Sequence, residues 1–191
     1  MGLANQITLF RLALGPLFVA VFILGGTTGY VLALIVAVLV EATDFLDGYL
    51  ARAKREISDF GKLVDPMADS LARFSVFLCF LWGGYAHLWM VALLFYRDFV
   101  VAYMRIAAAH AGMVMAARLS GKLKAVTQAV AIIAILILIV ATPAGDPERV
   151  EATRRTAHWL MGLVVLVTVW SGIDYVWSAS PILRQLLRRR S

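Results

Sequence analysis

Charged residues are scarce in this 191-residue chain, at 16% of the sequence, while hydrophobic residues make up 62%. A soluble domain is about one quarter charged and about half apolar, so the composition excludes an ordinary soluble globule. The same shortage of charge excludes a disordered chain, and the single cysteine, Cys79, excludes a disulfide-rich scaffold. With a mean hydropathy of +0.84, the sequence predicts an integral membrane protein.

Six hydrophobic segments are present, each close to the ~20 residues of helix that cross a bilayer. Short runs rich in glycine or proline separate several of them, and there is neither a repeat nor a long linker. The sequence therefore predicts an all-α membrane bundle of six transmembrane helices in a single domain, residues 1–191. The predicted segments run approximately over Thr8–Leu24, Tyr30–Leu50, Leu63–Trp82, Leu88–Ala109, Ala125–Ala141 and His158–Trp177.

The distribution of basic residues predicts the orientation. Lysine and arginine are absent between the first and second segments and between the third and fourth. The connection between the second and third segments, the connection between the fourth and fifth, and the C-terminal tail are basic. Cytoplasmic loops are enriched in these residues, so both termini are expected in the cytoplasm and the protein in the inner or plasma membrane. Arg11 interrupts the first apolar stretch and no basic segment precedes it, so we expect no cleaved signal peptide.

Four aspartates interrupt the second and third segments at neighbouring ends. Asp44 and Asp47 are spaced i,i+3, and Asp65 and Asp69 are spaced i,i+4, so each pair shares a helix face. Ionisable groups within a membrane segment are costly and indicate function. Four converging carboxylates repel unless cations bridge them, and a set of oxygen ligands without histidine or cysteine favours Mg²⁺, Mn²⁺ or Ca²⁺ over zinc.

Small residues and an arginine accompany the aspartates. Gly48 and Ala51 would let a ligand approach the helix backbone, and Arg52 would supply a guanidinium fork for phosphate oxygens. The alternatives are a helix-packing glycine and ordinary surface ion pairs, but neither requires regular spacing on two successive helices. The residues therefore predict a divalent-metal and phosphate site at the cytoplasmic ends of these helices.

The complete pattern resembles the signature of the CDP-alcohol phosphatidyltransferases. It reads Asp44-x-x-Asp47-Gly48-x-x-Ala51-Arg52, then eight residues, then Gly61-x-x-x-Asp65-x-x-x-Asp69. The resemblance implies six transmembrane helices, a homodimer, a site for two Mg²⁺ or Mn²⁺ ions, and displacement of CMP from a CDP-linked lipid by an alcohol.

The resemblance also implies a role for each signature residue. The implied metal ligands are Asp44, Asp47, Asp65 and Asp69. The implied contacts to the CDP-lipid are Asp47, Gly48, Ala51, Arg52 and Gly61. Asp69 is in addition the implied general base, which would accept the hydroxyl proton of the alcohol as the new P–O bond forms.

Three further stretches resemble the bacterial phosphatidylglycerophosphate synthases, which use glycerol 3-phosphate as the acceptor. They are residues 5–11 (NQITLFR), Arg97-Asp98 with Arg105, and residues 121–128 (GKLKAVTQ). Two positions depart from that subfamily, since Ser70 stands where lysine is usual and Asp98 where glutamate is usual. An inositol phosphate or an archaeal lipid therefore stays open as the acceptor.

Basic residues of the fourth and fifth segments independently favour an anionic acceptor. We predict that its phosphate is bound by Arg105, Lys122 and Lys124. No carboxylate lies in the connection between these helices, although the positive-inside rule alone would also place cations there. Arg97 and Asp98 lie deeper in the fourth segment and are expected to brace the bundle by pairing with Glu41, Arg73 or Asp174. Arg11 either faces the site or extends to the membrane interface.

The predicted activity is transfer of the phosphatidyl group from CDP-diacylglycerol to glycerol 3-phosphate, with release of CMP, in phospholipid synthesis. The expected partners are these substrates, membrane lipids and a second copy of the chain, and no nucleic acid. A cation or proton transporter using the four aspartates is the alternative from another class. Transport sites usually lie near the bilayer midplane, whereas these acids are predicted at one face.

Overall fold

In the computed structural model the described part of the chain forms six α-helices, as the sequence predicts. The structure describes the backbone of residues 3–54, 59–110, 118–143 and 145–188, and the side chains of residues 10–43, 67–109, 118–143 and 145–180. No strand occurs within these ranges. In chain order the helices are α1 (Leu3–Leu24), α2 (Gly26–Lys54), α3 (Asp59–Trp82), α4 (Leu88–His110), α5 (Leu119–Ala141) and α6 (Pro147–Arg188).

Five of the six helices begin earlier than hydrophobicity indicates, because each continues through a polar turn. The gap between α1 and α2 is reduced to Gly25, whose φ of +66° is a conformation that glycine adopts without strain. α6 begins 11 residues before the predicted span at His158. Its start is marked by Asp146, which accepts a hydrogen bond from the Arg149 backbone N–H, and by Pro147 in the first turn.

Three helices are long and apolar enough to cross a membrane, judged by length and composition of the described residues. The spans are Gly26–Thr43 in α2, Leu119–Ala141 in α5 and Pro147–Ser180 in α6. α1 adds a shorter apolar run, Phe10–Leu24. α4 is not among these spans because it carries three charged residues, Arg97, Asp98 and Arg105. These findings confirm an all-α protein with membrane-spanning helices, while six crossings stay a prediction.

The chain divides into two compact units. The first comprises Met1–His87 and Ile132–His158, and the second comprises Leu88–Ala131 and Trp159–Ser191. The first unit therefore contains α1, α2 and α3, the second contains α4, and α5 and α6 contribute to both. A single domain over residues 1–191 stays a prediction.

Apolar stripes at helical spacing form the core of the first unit, where α1 packs against α2 and α3. Residues three or four positions apart lie on one helix face, so each stripe buries one face of its helix. The buried side chains include Leu14, Phe18 and Phe22 on α1, Ala33 and Ala37 on α2, and Ala68, Ala72, Val76 and Phe80 on α3.

Within this unit α1 and α3 run in the same direction and α2 runs in the opposite one. At one end Phe22 of α1 packs edge-on against Tyr30 of α2 and Phe80 of α3, with ring centroids 5.3 and 6.3 Å apart. At Gly15 a Cβ atom would lie 3.5 Å from the Ala72 Cα atom, so α1 and α3 approach closely. The N-terminal halves of α1 and α3 therefore meet the C-terminal half of α2 at the other end, where the signature lies.

The buried faces of the second unit are more polar. On α5 the buried polar residues repeat every four positions and are Ser120, Lys124 and Gln128. On α6 they are Thr168, Ser171 and Tyr175. Polar groups are costly to bury unless they form hydrogen bonds, so these stripes mark a polar interior.

Candidate active site

The aspartate signature lies on two consecutive helices, as its spacing predicts. Asp44, Asp47, Gly48, Ala51 and Arg52 are residues of α2, and Gly61, Asp65 and Asp69 are residues of α3. Apart from Asp69, the side chains of these residues lie outside the described part of the structure. Their predicted contacts with metal ions and with the CDP-lipid therefore stay predictions.

Asp69 is the signature residue whose contacts the structure describes. Its carboxylate is 31% exposed and forms an ion pair with the guanidinium of Arg11, whose side chain is only 1% exposed. Arg11 continues the buried stripe of α1 that contains Leu14 and Phe18, so it enters the interior and does not extend to the membrane interface. Burying a guanidinium is expensive unless a carboxylate compensates it, and Asp69 provides that compensation.

A second ion pair joins α2 to α3 beside the signature. Arg73 donates hydrogen bonds to both carboxylate oxygens of Glu41, with N···O distances of 3.3 and 3.0 Å. Glu41 precedes Asp44 by three residues, and Arg73 follows Asp69 by four. This two-pronged, charge-assisted contact braces the two helices that carry the aspartates.

The donor chemistry of the signature fits a hard divalent cation. Its four aspartates offer only carboxylate oxygens, which Mg²⁺ and Mn²⁺ prefer to nitrogen or sulfur. The two helices that carry them also contact each other. The residues that would hold a metal are thus Asp44, Asp47, Asp65 and Asp69.

Arg105, one of the predicted acceptor residues, contacts Tyr175 in the second unit. Its Nη2 donates a hydrogen bond to the Tyr175 hydroxyl, and its Cζ atom lies 5.1 Å from the centre of the phenol ring. Arg105 is exposed, whereas Tyr175 is 1% exposed. The guanidinium is therefore held at one edge by a buried residue and stays accessible.

The other two predicted acceptor residues differ in their surroundings. The buried Lys124 ammonium lies 2.5 and 2.7 Å from the two carboxylate oxygens of Asp98. Lys122, two residues earlier on the same helix, is exposed. An incoming phosphate would therefore meet Lys122 directly but would compete with Asp98 for Lys124.

Arg97 and Asp98 form a bracing network, as expected, but their described contacts are not with the predicted partners Glu41, Arg73 or Asp174. Arg97 donates to the Asp98 carboxylate at 2.9 Å and to the Ser171 hydroxyl at 2.7 Å. Its Cγ atom would lie 2.9 Å from a Cβ atom at Gly172, so only glycine leaves room for it there. Asp98 in turn contacts Lys124, and the network links α4 to both α5 and α6.

The contacts of a short polar segment of α6 were not predicted from the sequence, which suggested Asp174 only as a partner of Arg97 or Asp98. Asp174 accepts contacts from the Arg118 guanidinium at 2.7 Å and from the Ser120 hydroxyl at 2.5 Å. The next residue, Tyr175, contacts Arg105. The available signal was Asp174 itself, because an acid in an otherwise apolar segment indicates function.

A sequence model of the CDP-alcohol phosphatidyltransferase family matches residues 1–170. The chain belongs to this family. It is similar to two proteins named CDP-diacylglycerol–glycerol-3-phosphate 3-phosphatidyltransferase. The one from Bacillus subtilis is 29% identical over 93% of this chain and 96% of its own length, and the one from Pseudomonas fluorescens is 31% identical over 96% and 93%. A probable phosphatidylglycerophosphate synthase of Mycobacterium tuberculosis is 34% identical over 92% and 80%.

Family membership makes this phosphatidyltransferase a membrane enzyme of phospholipid synthesis. The transporter alternative is therefore wrong. Members of the family generally use divalent metal ions, in agreement with the oxygen ligands of the signature. The identity of the ion, the number of ions and the homodimer stay predictions.

Proposed function

We propose that this phosphatidyltransferase transfers the phosphatidyl group of CDP-diacylglycerol to glycerol 3-phosphate, forming phosphatidylglycerophosphate and releasing CMP. The names of relatives that align with 92–96% of the chain support this acceptor. In the structure, the observation that supports the reaction most directly is the ion pair of Asp69 with the buried Arg11. It holds the last signature aspartate in a defined orientation.

In the proposed reaction, a hydroxyl oxygen of the acceptor attacks the phosphorus on the diacylglycerol side of the diphosphate. The bond between that phosphorus and the bridging oxygen breaks, and CMP leaves with the oxygen. The hydroxyl proton passes to the Asp69 carboxylate. Arg11 holds this carboxylate in place, because proton transfer requires the base to lie within hydrogen-bond distance of the hydroxyl group. Metal ions bound by the signature aspartates would neutralise charge on the diphosphate and on the departing CMP.

We assign the cytidine diphosphate to the remaining signature residues. Arg52 would bind phosphate oxygens through its guanidinium, because this planar group can donate two parallel hydrogen bonds. Small residues next to it would let the diphosphate approach the helices. The full set proposed for the CDP-lipid is Asp47, Gly48, Ala51, Arg52 and Gly61. Their positions on α2 and at the start of α3 support the assignment.

We assign the acceptor phosphate to Arg105, Lys122 and Lys124 in the second unit. The exposure of Arg105 and Lys122 supports their roles, because a soluble anion can reach both. Lys124 has the least support, since Asp98 already contacts its ammonium on both oxygens. Lys124 would bind the acceptor phosphate only after its ammonium had released the Asp98 carboxylate.

We also propose that the enzyme is a homodimer of the inner or plasma membrane, with its active site and both termini in the cytoplasm. The basic connections predicted on that side support the orientation, since cytoplasmic loops are enriched in lysine and arginine. The chemistry favours it too, because glycerol 3-phosphate is a soluble, charged acceptor.

The test is an acceptor panel. Purified enzyme in lipid nanodiscs receives CDP-diacylglycerol and Mg²⁺ or Mn²⁺, and CMP release is measured with glycerol 3-phosphate, glycerol or inositol phosphate. We expect glycerol 3-phosphate to react fastest. Charge-assisted hydrogen bonds contribute about 1.5–3 kcal/mol each, so Arg105→Ala and Lys122→Ala should raise its KM about tenfold or more and leave the KM for CDP-diacylglycerol unchanged.

The matched control is Arg149→Ala, which removes a cation that is 68% exposed and pairs only with Asp146 among the described side chains. Its kinetics should match those of the parent. Faster reaction with inositol phosphate would contradict the assigned acceptor, and an equal rise in both KM values for Arg105→Ala would contradict its assigned binding residues.

A further inference from the structure

Tyr175 brings together groups from all three helices of the second unit. Two guanidinium groups of α4 lie near its ring, with Cζ-to-centroid distances of 5.7 Å for Arg97 and 5.1 Å for Arg105. On α5, a Cβ atom at Gly121 would lie 3.6 Å from its Cε2 atom. Cations within about 6 Å of a ring centre are attracted by its electron density. The ring is therefore buried beside two positive charges, and its hydroxyl accepts from one of them.

Arg105 differs from the other bonded cations of this unit in the charge of its partner. In the described part of the unit the remaining pairs are Arg97–Asp98, Lys124–Asp98 and Arg118–Asp174. Each of these cations contacts a carboxylate, and Arg97 and Lys124 share that of Asp98. Among the described side chains, Arg105 instead contacts a neutral phenol. Its side chain is thus oriented while its positive charge is retained, which is the arrangement that a binding site for an anion requires.

Asp174, the residue before Tyr175, contacts the start of α5, which is the other helix that carries predicted phosphate ligands. Asp174 contacts Arg118 and Ser120, at the start of α5. Lys122 follows Ser120 by two residues. Two adjacent residues of α6 therefore hold both Arg105 and the first turn of α5.

We propose that Tyr175 is a positioning residue for the acceptor site, which orients the Arg105 guanidinium toward a phosphate without neutralising it. The proposal rests on the proposed function, in which Arg105 binds the phosphate of glycerol 3-phosphate. A carboxylate in place of Tyr175 would orient Arg105 equally well but would cancel the charge that the phosphate needs. A phenylalanine would keep the packing and the ring contact but would lose the hydroxyl acceptor.

The experiment compares Tyr175→Phe with Tyr96→Phe and Tyr103→Phe, which remove hydroxyls of α4 tyrosines that are 63% and 58% exposed. Loss of pre-organisation of one flexible side chain should raise the KM for glycerol 3-phosphate roughly 3- to 10-fold in Tyr175→Phe. The KM for CDP-diacylglycerol should not change, and both control variants should behave as the parent. Arg105→Ala is measured alone and combined with Tyr175→Phe, because a residue acting through Arg105 has no effect once Arg105 is absent.

Near-additive effects in the double variant would overturn the proposal, since Tyr175 would then act independently of Arg105. A KM for Tyr175→Phe equal to that of Tyr96→Phe would also overturn it, even where Arg105→Ala confirms the acceptor site. If Arg105→Ala left the KM unchanged, the acceptor assignment would fail and the proposal with it. If another phosphorylated alcohol proved to be the better substrate, only the acceptor's identity would be wrong, and the KM for that alcohol would decide the role of Tyr175.

Discussion

Replacing Asp98 with asparagine should destabilise the second unit. The Asp98 carboxylate contacts two cations, with N···O distances of 2.5 and 2.7 Å to Lys124 and 2.9 Å to Arg97. All three side chains are at least three-quarters buried. Asparagine keeps the size of the side chain but removes the negative charge that the two cations share. The resulting loss is electrostatic and not a loss of packing.

The expected magnitude follows from this burial. Removing one partner of a buried ion pair costs about 3–5 kcal/mol. The amide oxygen of asparagine still accepts a hydrogen bond and the site is partly exposed, so we expect the lower value, about 3 kcal/mol. For chains of this length each 1 kcal/mol lowers Tm by about 2–4 °C. The expected decrease in Tm is therefore roughly 6–12 °C.

The assay is thermal unfolding of the purified protein in detergent, followed by circular dichroism. The matched control is Asp146→Asn, because the ion pair of Asp146 with Arg149 is exposed and asparagine caps a helix as well as aspartate. Its effect should stay below about 1 kcal/mol. Asp98→Glu retains the charge and should recover most of the stability. Equal Tm values for Asp98→Asn and Asp146→Asn, or equal losses for Asp98→Asn and Asp98→Glu, would refute the electrostatic argument.

Three further predictions concern the metal, the base and a glycine. Excess EDTA should abolish CMP release and Mg²⁺ or Mn²⁺ should restore it, so that full turnover in chelator would refute a metal-dependent reaction. Asp69→Asn should mainly lower turnover, by about 10²–10⁴-fold in kcat, and should also lower Tm because the buried Arg11 loses this carboxylate contact; near-parental kcat would remove Asp69 as the base. Gly172→Ala should lower Tm, because the added Cβ atom would lie 2.9 Å from the Cγ atom of Arg97. The control is Gly162→Ala on the same helix, where an added Cβ atom has no neighbour within 4 Å, so this variant should be neutral or stabilising by up to about 1 kcal/mol. A lower Tm for Gly162→Ala would contradict this.

The number and type of the helices in the described part of the chain were predictable from the sequence. Long apolar segments can satisfy their backbone hydrogen bonds in lipid only as helices or closed barrels, and their length favours helices. Helix starts were harder to predict, because hydrophobicity reports burial and not backbone conformation. The start of α6 at Pro147 shows this, since its first turns are charged and lie outside the hydrophobic run.

The candidate metal site was equally accessible from sequence, because its information is local. Asp44 and Asp47 share one helix, and Asp65 and Asp69 share the next. Spacing alone therefore groups each pair, and the two helices contact each other.

The pairing of distant charges depended on the tertiary structure. The chain has 18 lysines and arginines and 12 aspartates and glutamates, so many pairings are compatible with the sequence. Arg11 lies 58 residues from Asp69 along the chain, and Arg105 lies 70 residues from Tyr175. Which pair forms depends on helix packing, because a hydrogen bond requires its donor and acceptor atoms within about 3 Å of each other. Tyr175 looks like an ordinary core residue in the sequence, and only the packing of α4 against α6 places Arg105 at its hydroxyl.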